Sequence, residues 1–211
     1  TRLAIEAGNR LRSEFWDGVY LVALEMVQDA ALIPSITATV LGLRETRGQS
    51  TAQSVVSYLA QKEMLLIFDN FEHLQPAANF LSELLRCAPN LHLLVTSRAI
   101  LHLYGEHEFR VPPLPLPDAN NLMDVPEVAS VQLFCKRAQA VQADFSLTQE
   151  LIPVIGEICR RLDGLPLAIE LAAARVKLFS PQELLQRLEH RLPLLTQGPA
   201  DLPPRARVLE N

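Results

Sequence analysis

The run Met64-Leu65-Leu66-Ile67-Phe68 is apolar without a break and ends on Asp69. A strand of this kind has no polar face to turn to water, so it must be covered on both sides, which suits the interior of a parallel sheet. A helical period from Leu74 to Cys87 follows, and then a second apolar run, Leu91-His92-Leu93-Leu94-Val95-Thr96, before Ser97-Arg98. Strand, helix and strand in this succession form the crossover unit that joins parallel neighbours. The chain is therefore expected to be α/β, with a mainly parallel sheet.

Other segments fit that frame. Residues 1 to 12 place Leu3, Ile5, Ala7 and Leu11 near one side of a helix, and Asp17-Gly18 turns into the β-rich run Val19 to Leu24. Helices are predicted over 29–43 and 51–62, and a last short strand near Phe109-Arg110-Val111. The segment Pro112 to Pro117, PPLPLP, predicts an extended, polyproline-like linker. The α/β domain is accordingly placed at 1–117.

Beyond the linker the period becomes helical, over 126–141, 148–162, 165–178 and 181–188, so 118–195 reads as a small helical domain. Ser180-Pro181-Gln182-Glu183 supplies an N-cap, a proline at the first helical position and a capping-box acid. Gly164-Leu165-Pro166 divides two helices with no room for a longer loop.

Composition narrows the function classes. With 211 residues, 49% of them hydrophobic and 20% charged, a packed core is expected rather than disorder. The net charge of -5 gives no basic footprint for nucleic acid or anionic lipid. No apolar stretch reaches the length of a membrane span. Cys87, Cys135 and Cys159 are widely spaced inside helical patterns, which reads as reduced thiols in a cytoplasmic protein. The five histidines show no paired metal-ligand spacing, and no serine sits in a nucleophile-elbow context.

The chemistry then falls to the strand ends. Asp69 delivers a carboxylate at the carboxyl edge of its strand, where ligands of open α/β sheets collect. It reads either as a Mg²⁺ ligand beside nucleotide phosphates or as an acidic cap for the next helix. Arg98 ends the following strand on the same edge, able to contact a terminal phosphate or to pair with Glu72 or Asp69. Pro166 opens an apolar helix, as a structural junction or as a flat contact for a purine.

Together these segments resemble the STAND class of P-loop ATPases, in the NB-ARC-like branch of large bacterial transcriptional regulators and signalling ATPases. TRLAIEAG resembles the stretch running out of Walker A, LLIFDNFEHL resembles Walker B, LLVTSR the sensor-arginine strand, and CRRLDGLPLAIELAAAR the GLPL helix. The resemblance implies a P-loop NTPase sheet followed by a helical domain. It also implies ATP or ADP and Mg²⁺ as cofactors. Thr1 and Asp69 would be the metal ligands, and Arg98 and Pro166 would join them in holding nucleotide. Asp69 and Asn70 occupy the positions of the family's catalytic acid pair.

Asn70 carries an amide that cannot accept a proton, and Glu72 is the nearest other acid, expected at the start of the next helix. Slow hydrolysis is implied, in the service of a switch in signal transduction and transcription regulation. The resemblance further implies a fragment that begins at the Walker A threonine, with the phosphate-cradling glycines and lysine upstream, and a chain inactive by itself. Residues 196–211 would be a tail towards a winged-helix segment. Its partners would be nucleotide, other domains of the same polypeptide and further copies, with no nucleic acid or membrane contact from these residues. The alternative is a nucleotide-free, catalytically inactive helical interaction module.

Overall fold

The structure, a computed structural model, describes residues 1–44, 48–118, 121 and 123–189. His190 and the tail 196–211 lie outside the described residues. Contacts divide the chain into two units, Thr1–Phe109 and Arg110–Asn211.

The first unit is mixed α/β. Helix α1 (Arg2–Arg10) precedes strand β1 (Val19–Ala23), helices α2 (Ile33–Val40) and α3 (Thr51–Leu59), strand β2 (Met64–Asp69), helix α4 (Ala78–Cys87) and strand β3 (Leu91–Val95). The sheet order is β1-β2-β3, with both pairings parallel, Leu21 opposite Ile67 and Phe68 opposite Val95. All three strands therefore present their carboxyl ends along one edge. β2 is buried at every residue, as its unbroken apolar run requires.

Alternation along β2 splits the core. Leu66 and Phe68 join the cluster that includes Ile33, Val55, Leu59, Leu81 and Leu84 from α2, α3 and α4. Leu65 and Ile67 join Ala4 of α1, with Phe15, Val19 and Leu94 against them. Burying a side chain of this size contributes about 1.5–3 kcal/mol, so a strand sandwiched in this way is the best-anchored element of the unit. Helix α1 lies close to the sheet because Gly8 has no Cβ: one built there would stand 2.6 Å from Ile67 Cδ1 and 3.1 Å from Val19 Cγ1. At the opposite strand ends the Asp17 carboxylate accepts from Lys62 Nζ at 2.7 Å and from the Glu63 N–H at 2.9 Å, tying the start of β1 to the start of β2.

Three expectations need correction. Phe109-Arg110-Val111 is not a strand but exposed, irregular chain, and the sheet order β1-β2-β3 does not include it. The helix predicted from residue 74 begins at Ala78 after a 3₁₀ turn at Gln75–Ala77, so Glu72 lies well before it and is no helix-terminal charge. The proline stretch is extended but docked within the second unit. There the Leu114 N–H donates to Gly164 O at 2.9 Å, Ser130 Oγ to Pro115 O at 2.7 Å and Arg160 Nη1 to Pro117 O at 3.2 Å.

The second unit packs α5 (Ala129–Val141), α6 (Leu151–Arg161), α7 (Pro166–Ala173) and α8 (Pro181–Glu189) around Phe134, Ile155, Ile158, Ile169 and Leu171. The capping box at α8 forms as expected, the Ser180 N–H donating to Glu183 Oε2 at 2.8 Å and the Glu183 N–H to Ser180 Oγ at 3.3 Å. The α6–α7 junction depends on Gly164, whose φ is +66° and whose missing Cβ would collide with the Leu114 carbonyl oxygen. Cys159, fully buried in α6, has its thiol pushed up to about 12 by burial, the Ser130 hydroxyl pulling the other way. All three cysteines are free thiols. Among the described residues no helix is long and apolar enough to cross a membrane.

Two substitutions test this packing. Gly8→Leu has no space between α1 and the sheet and is expected to cost about 1–3 kcal/mol in urea unfolding followed by circular dichroism. Gly164→Ala meets both a left-handed backbone and a carbonyl, and is expected to cost about 2–4 kcal/mol. The buried Cys159 thiol reacts only when the helices open, so its rate of modification at about pH 8 should rise in Gly164→Ala and stay near wild type in Gly8→Leu.

Candidate functional site

Asp69 is the last residue of the buried central strand and is itself only 6% exposed. A carboxylate in that position must find donors, since an unpaired buried charge is costly. Two hydroxyls supply them. Thr1 Oγ1 donates to Asp69 Oδ2 at 2.7 Å, and Thr96 Oγ1 donates to Oδ1 at 2.6 Å. The Thr1 amino group stands 3.3 Å from Oδ1. Burial alone would push the Asp69 carboxyl up, but the hydrogen bonds from the Thr96 and Thr1 hydroxyls pull the other way, and the pKa lies below the ordinary value.

Helix α1 contributes its N-terminus to the same place. Thr1 is its N-cap residue, yet its hydroxyl makes no cap and is given to Asp69 instead, while Thr1 O accepts the first helical bond from the Ile5 N–H at 3.0 Å. No acidic side chain occupies the first turn, so the positive end of the helix dipole is directed at the Asp69 carboxylate.

Asn70 turns the chain away from the sheet with φ of +74°, a left-handed conformation that asparagine tolerates better than most residues. It is buried, and its N–H donates to Thr96 Oγ1 at 2.9 Å. Thr96, just beyond β3, also donates its N–H to Phe68 O at 2.9 Å and accepts from the Phe71 N–H at 2.9 Å. The sequence motif LLVTSR contains Thr96, but nothing in its residue type distinguishes it from an ordinary strand threonine. Its importance follows from register, once Phe68 is opposite Val95.

Arg98 lies on the same edge but does not reach the carboxylate. Its side chain is 80% exposed, and Nε stands 3.6 Å from Glu72 Oε1. The backbone around it is fixed by Ser97, whose Oγ donates to Ala99 O at 2.7 Å and accepts from the Ala99 N–H at 3.1 Å. Pro166 opens α7 in the second unit, at its first turn. The structure thus brings together Thr1, Asp69, Asn70 and Thr96, places Arg98 nearby, and sets Pro166 in the other unit.

Among the described residues no cluster of three or more histidine, cysteine or acidic side chains could hold a metal. An Asp–Thr pair is a different kind of donor set, a hard carboxylate oxygen and a hydroxyl oxygen already in contact, suited to Mg²⁺, which takes one or two protein oxygens and fills its remaining positions with phosphate and water. An open groove of about 550 Å³, lined by Gln28, Asp29, His73 and Pro76 among others, includes none of the four clustered residues. His73 in that groove has Nε2 2.6 Å from Val27 O.

Compared with known proteins, 199 residues, 94% of the chain, are 38% identical to a Mycobacterium tuberculosis (strain ATCC 25618 / H37Rv) protein named "Putative HTH-type transcriptional regulator Rv0890c", the match covering 21% of that protein. A Mycobacterium bovis protein with the same descriptive name matches to the same extent. A further M. tuberculosis protein, "Uncharacterized protein Rv0894", is 38% identical over 196 residues, 92% of the chain and 47% of its own length. The chain thus spans about a fifth to about half of the length of these curated relatives. No protein-family model matches it.

The Asp69 environment makes a pH-dependent prediction. Because the folded pKa lies below the ordinary one, the stability that Asp69 contributes is complete above the ordinary carboxylate range and is lost as pH falls through the folded value. Asp69→Asn should therefore lower stability near neutral pH and flatten the decline below about pH 4. Denaturant midpoints of both proteins across that range measure it; parallel curves would contradict it.

Proposed function

We propose that this chain is the nucleotide-responsive part of a regulatory protein of the STAND class, NB-ARC-like branch, acting in signal transduction and transcription regulation. ATP or ADP with Mg²⁺ is the ligand, and the cytoplasm is the compartment. The observation that carries this reading is the Thr1 hydroxyl bonded to the Asp69 carboxylate, at the carboxyl edge of the central strand and the N-terminus of α1. That is the pair which the resemblance makes the Walker A hydroxyl and the Walker B acid. Relatives named as transcriptional regulators support the regulatory part.

In this reading Mg²⁺ supplies charge neutralisation for the phosphates, and the chain's own residues do the rest. Thr1 and Asp69 offer the two oxygens that hold the metal. Arg98 would exchange its contact with Glu72 for a terminal phosphate, at little cost to an arginine that is itself exposed and paired only at 3.6 Å. For Pro166, a contact with the base rests on the resemblance alone. Asn70 orients a water without accepting its proton, so turnover is slow and the two nucleotide states persist long enough to act as signals.

A second reading has one observation in its favour. Gly164 is fully accounted for by the backbone approach of Leu114, and Pro166 by its place in the first turn of α7, so the GLPL segment needs no purine to explain it. On that reading the helical unit is an interaction module that works without nucleotide.

Calorimetry on the whole protein with ADP and ATP, each with Mg²⁺ and with EDTA, separates the two. The switch reading expects Asp69→Ala to abolish the Mg²⁺-dependent part of binding and Arg98→Ala to lower the preference for ATP over ADP by about tenfold. Single-turnover hydrolysis should stay below about 1 per second and change little in Glu72→Gln. Absence of any nucleotide binding supports the interaction module instead.

A further inference from the structure

Thr96 directs its N–H, its hydroxyl and its carbonyl at a single short segment. Its N–H goes to Phe68, its hydroxyl to Asp69 and from Asn70, and its carbonyl takes the Phe71 N–H. Four consecutive residues at the end of β2 are therefore clasped by one residue at the end of β3. The hydroxyl is saturated in a directional way: with its one proton given to Asp69 Oδ1 and a lone pair occupied by the Asn70 N–H, it has no second donor to offer.

The two carboxylate oxygens of Asp69 are consequently unequal. Oδ1 is bonded by a hydroxyl whose own position is fixed by three backbone bonds. Oδ2 is bonded by the hydroxyl of Thr1, whose side chain caps nothing else. Breaking the first contact disturbs the Asn70 turn as well, whereas breaking the second needs only a rotation about the Thr1 Cα–Cβ bond.

We propose that Thr96 is a positioning residue for Asp69: it anchors Oδ1 and the Asn70 turn, and leaves Oδ2 as the oxygen that exchanges the Thr1 hydrogen bond for a divalent cation. This rests on the reading of Asp69 as a Mg²⁺ ligand, and adds to it a residue that touches neither metal nor nucleotide. Residues that orient a ligating carboxylate commonly matter for metal affinity by about 10–100-fold.

The test uses the whole protein with Mg²⁺ and ADP as probes. Thr96→Val keeps the shape and removes the hydroxyl; Thr96→Ser keeps the hydroxyl. ADP affinity is measured with Mg²⁺ and with EDTA, alongside amide hydrogen exchange at Asn70. Thr96→Val should weaken Mg²⁺-dependent affinity by about tenfold or more, leave the EDTA value unchanged and speed Asn70 exchange. Thr96→Ser should restore all three. In an Asp69→Asn background Thr96→Val should have no further effect on Mg²⁺ dependence, because the anchored group is gone.

Should Thr96→Val not fold, Thr96→Ala takes its place in every comparison. Equal losses with and without Mg²⁺, additivity with Asp69→Asn, or no rescue by serine would show a merely structural role and overturn the proposal while the Asp69 reading stands. If wild-type binding is absent or indifferent to Mg²⁺ and to Asp69→Ala, that reading fails, and the assignment of Oδ2 fails with it.

Discussion

A buried carboxylate at the end of a buried strand is the constraint around which the first unit is organised. Covering β2 on both faces excludes water from its carboxyl end, and excluding water from Asp69 creates a demand for donors that local sequence cannot meet. Both hydroxyls that answer it are distant along the chain, one before α1 and one after β3. Satisfying that single charge therefore ties the residue before α1 and the residue after β3 to the end of β2. The same demand explains why Thr1 leaves its own helix uncapped: a neutral cap is worth less than a charge-assisted bond to a carboxylate.

How much of this was legible beforehand follows from the range of the interactions involved. The unbroken run of β2 can only be a strand buried on both faces, and the Ser180–Glu183 box lies within one helical turn; both were readable locally. Asp69 is legible because it puts a carboxylate at the carboxyl end of such a run, where ligands of open α/β sheets collect. Thr96 is not, because its partners lie at Phe68 to Phe71, and only the parallel register of β2 and β3 brings them within reach.

The misread segments fail for the same reason in reverse. Phe109-Arg110-Val111 has strand-like residues, but a strand needs a partner edge. In the loop before it the Glu106 carboxylate takes the N–H groups of Leu101 and Leu103 at 3.0 and 3.1 Å, curling the chain into a local turn. The proline run at 112–117 looks like a spacer because proline lacks a donor. Its carbonyls remain, and with the Leu114 N–H they are what Ser130, Arg160 and Gly164 bind.

The coupling of β2 to β3 also sets how Asp69 and Arg98 are held. Residues 96 to 99 form a short segment in which Thr96 is two residues from Arg98 and the Ser97 hydroxyl bonds both the carbonyl and the N–H of Ala99. Its outer end carries an exposed guanidinium in a loose pair, which can change partner at little cost. Its inner end carries four bonds to the Asp69 segment, and shifting it means breaking several of them together. Two steps of chain thus separate an arginine held by one long contact from a threonine held by four bonds to the Asp69 segment, and the arginine and the carboxylate do not touch.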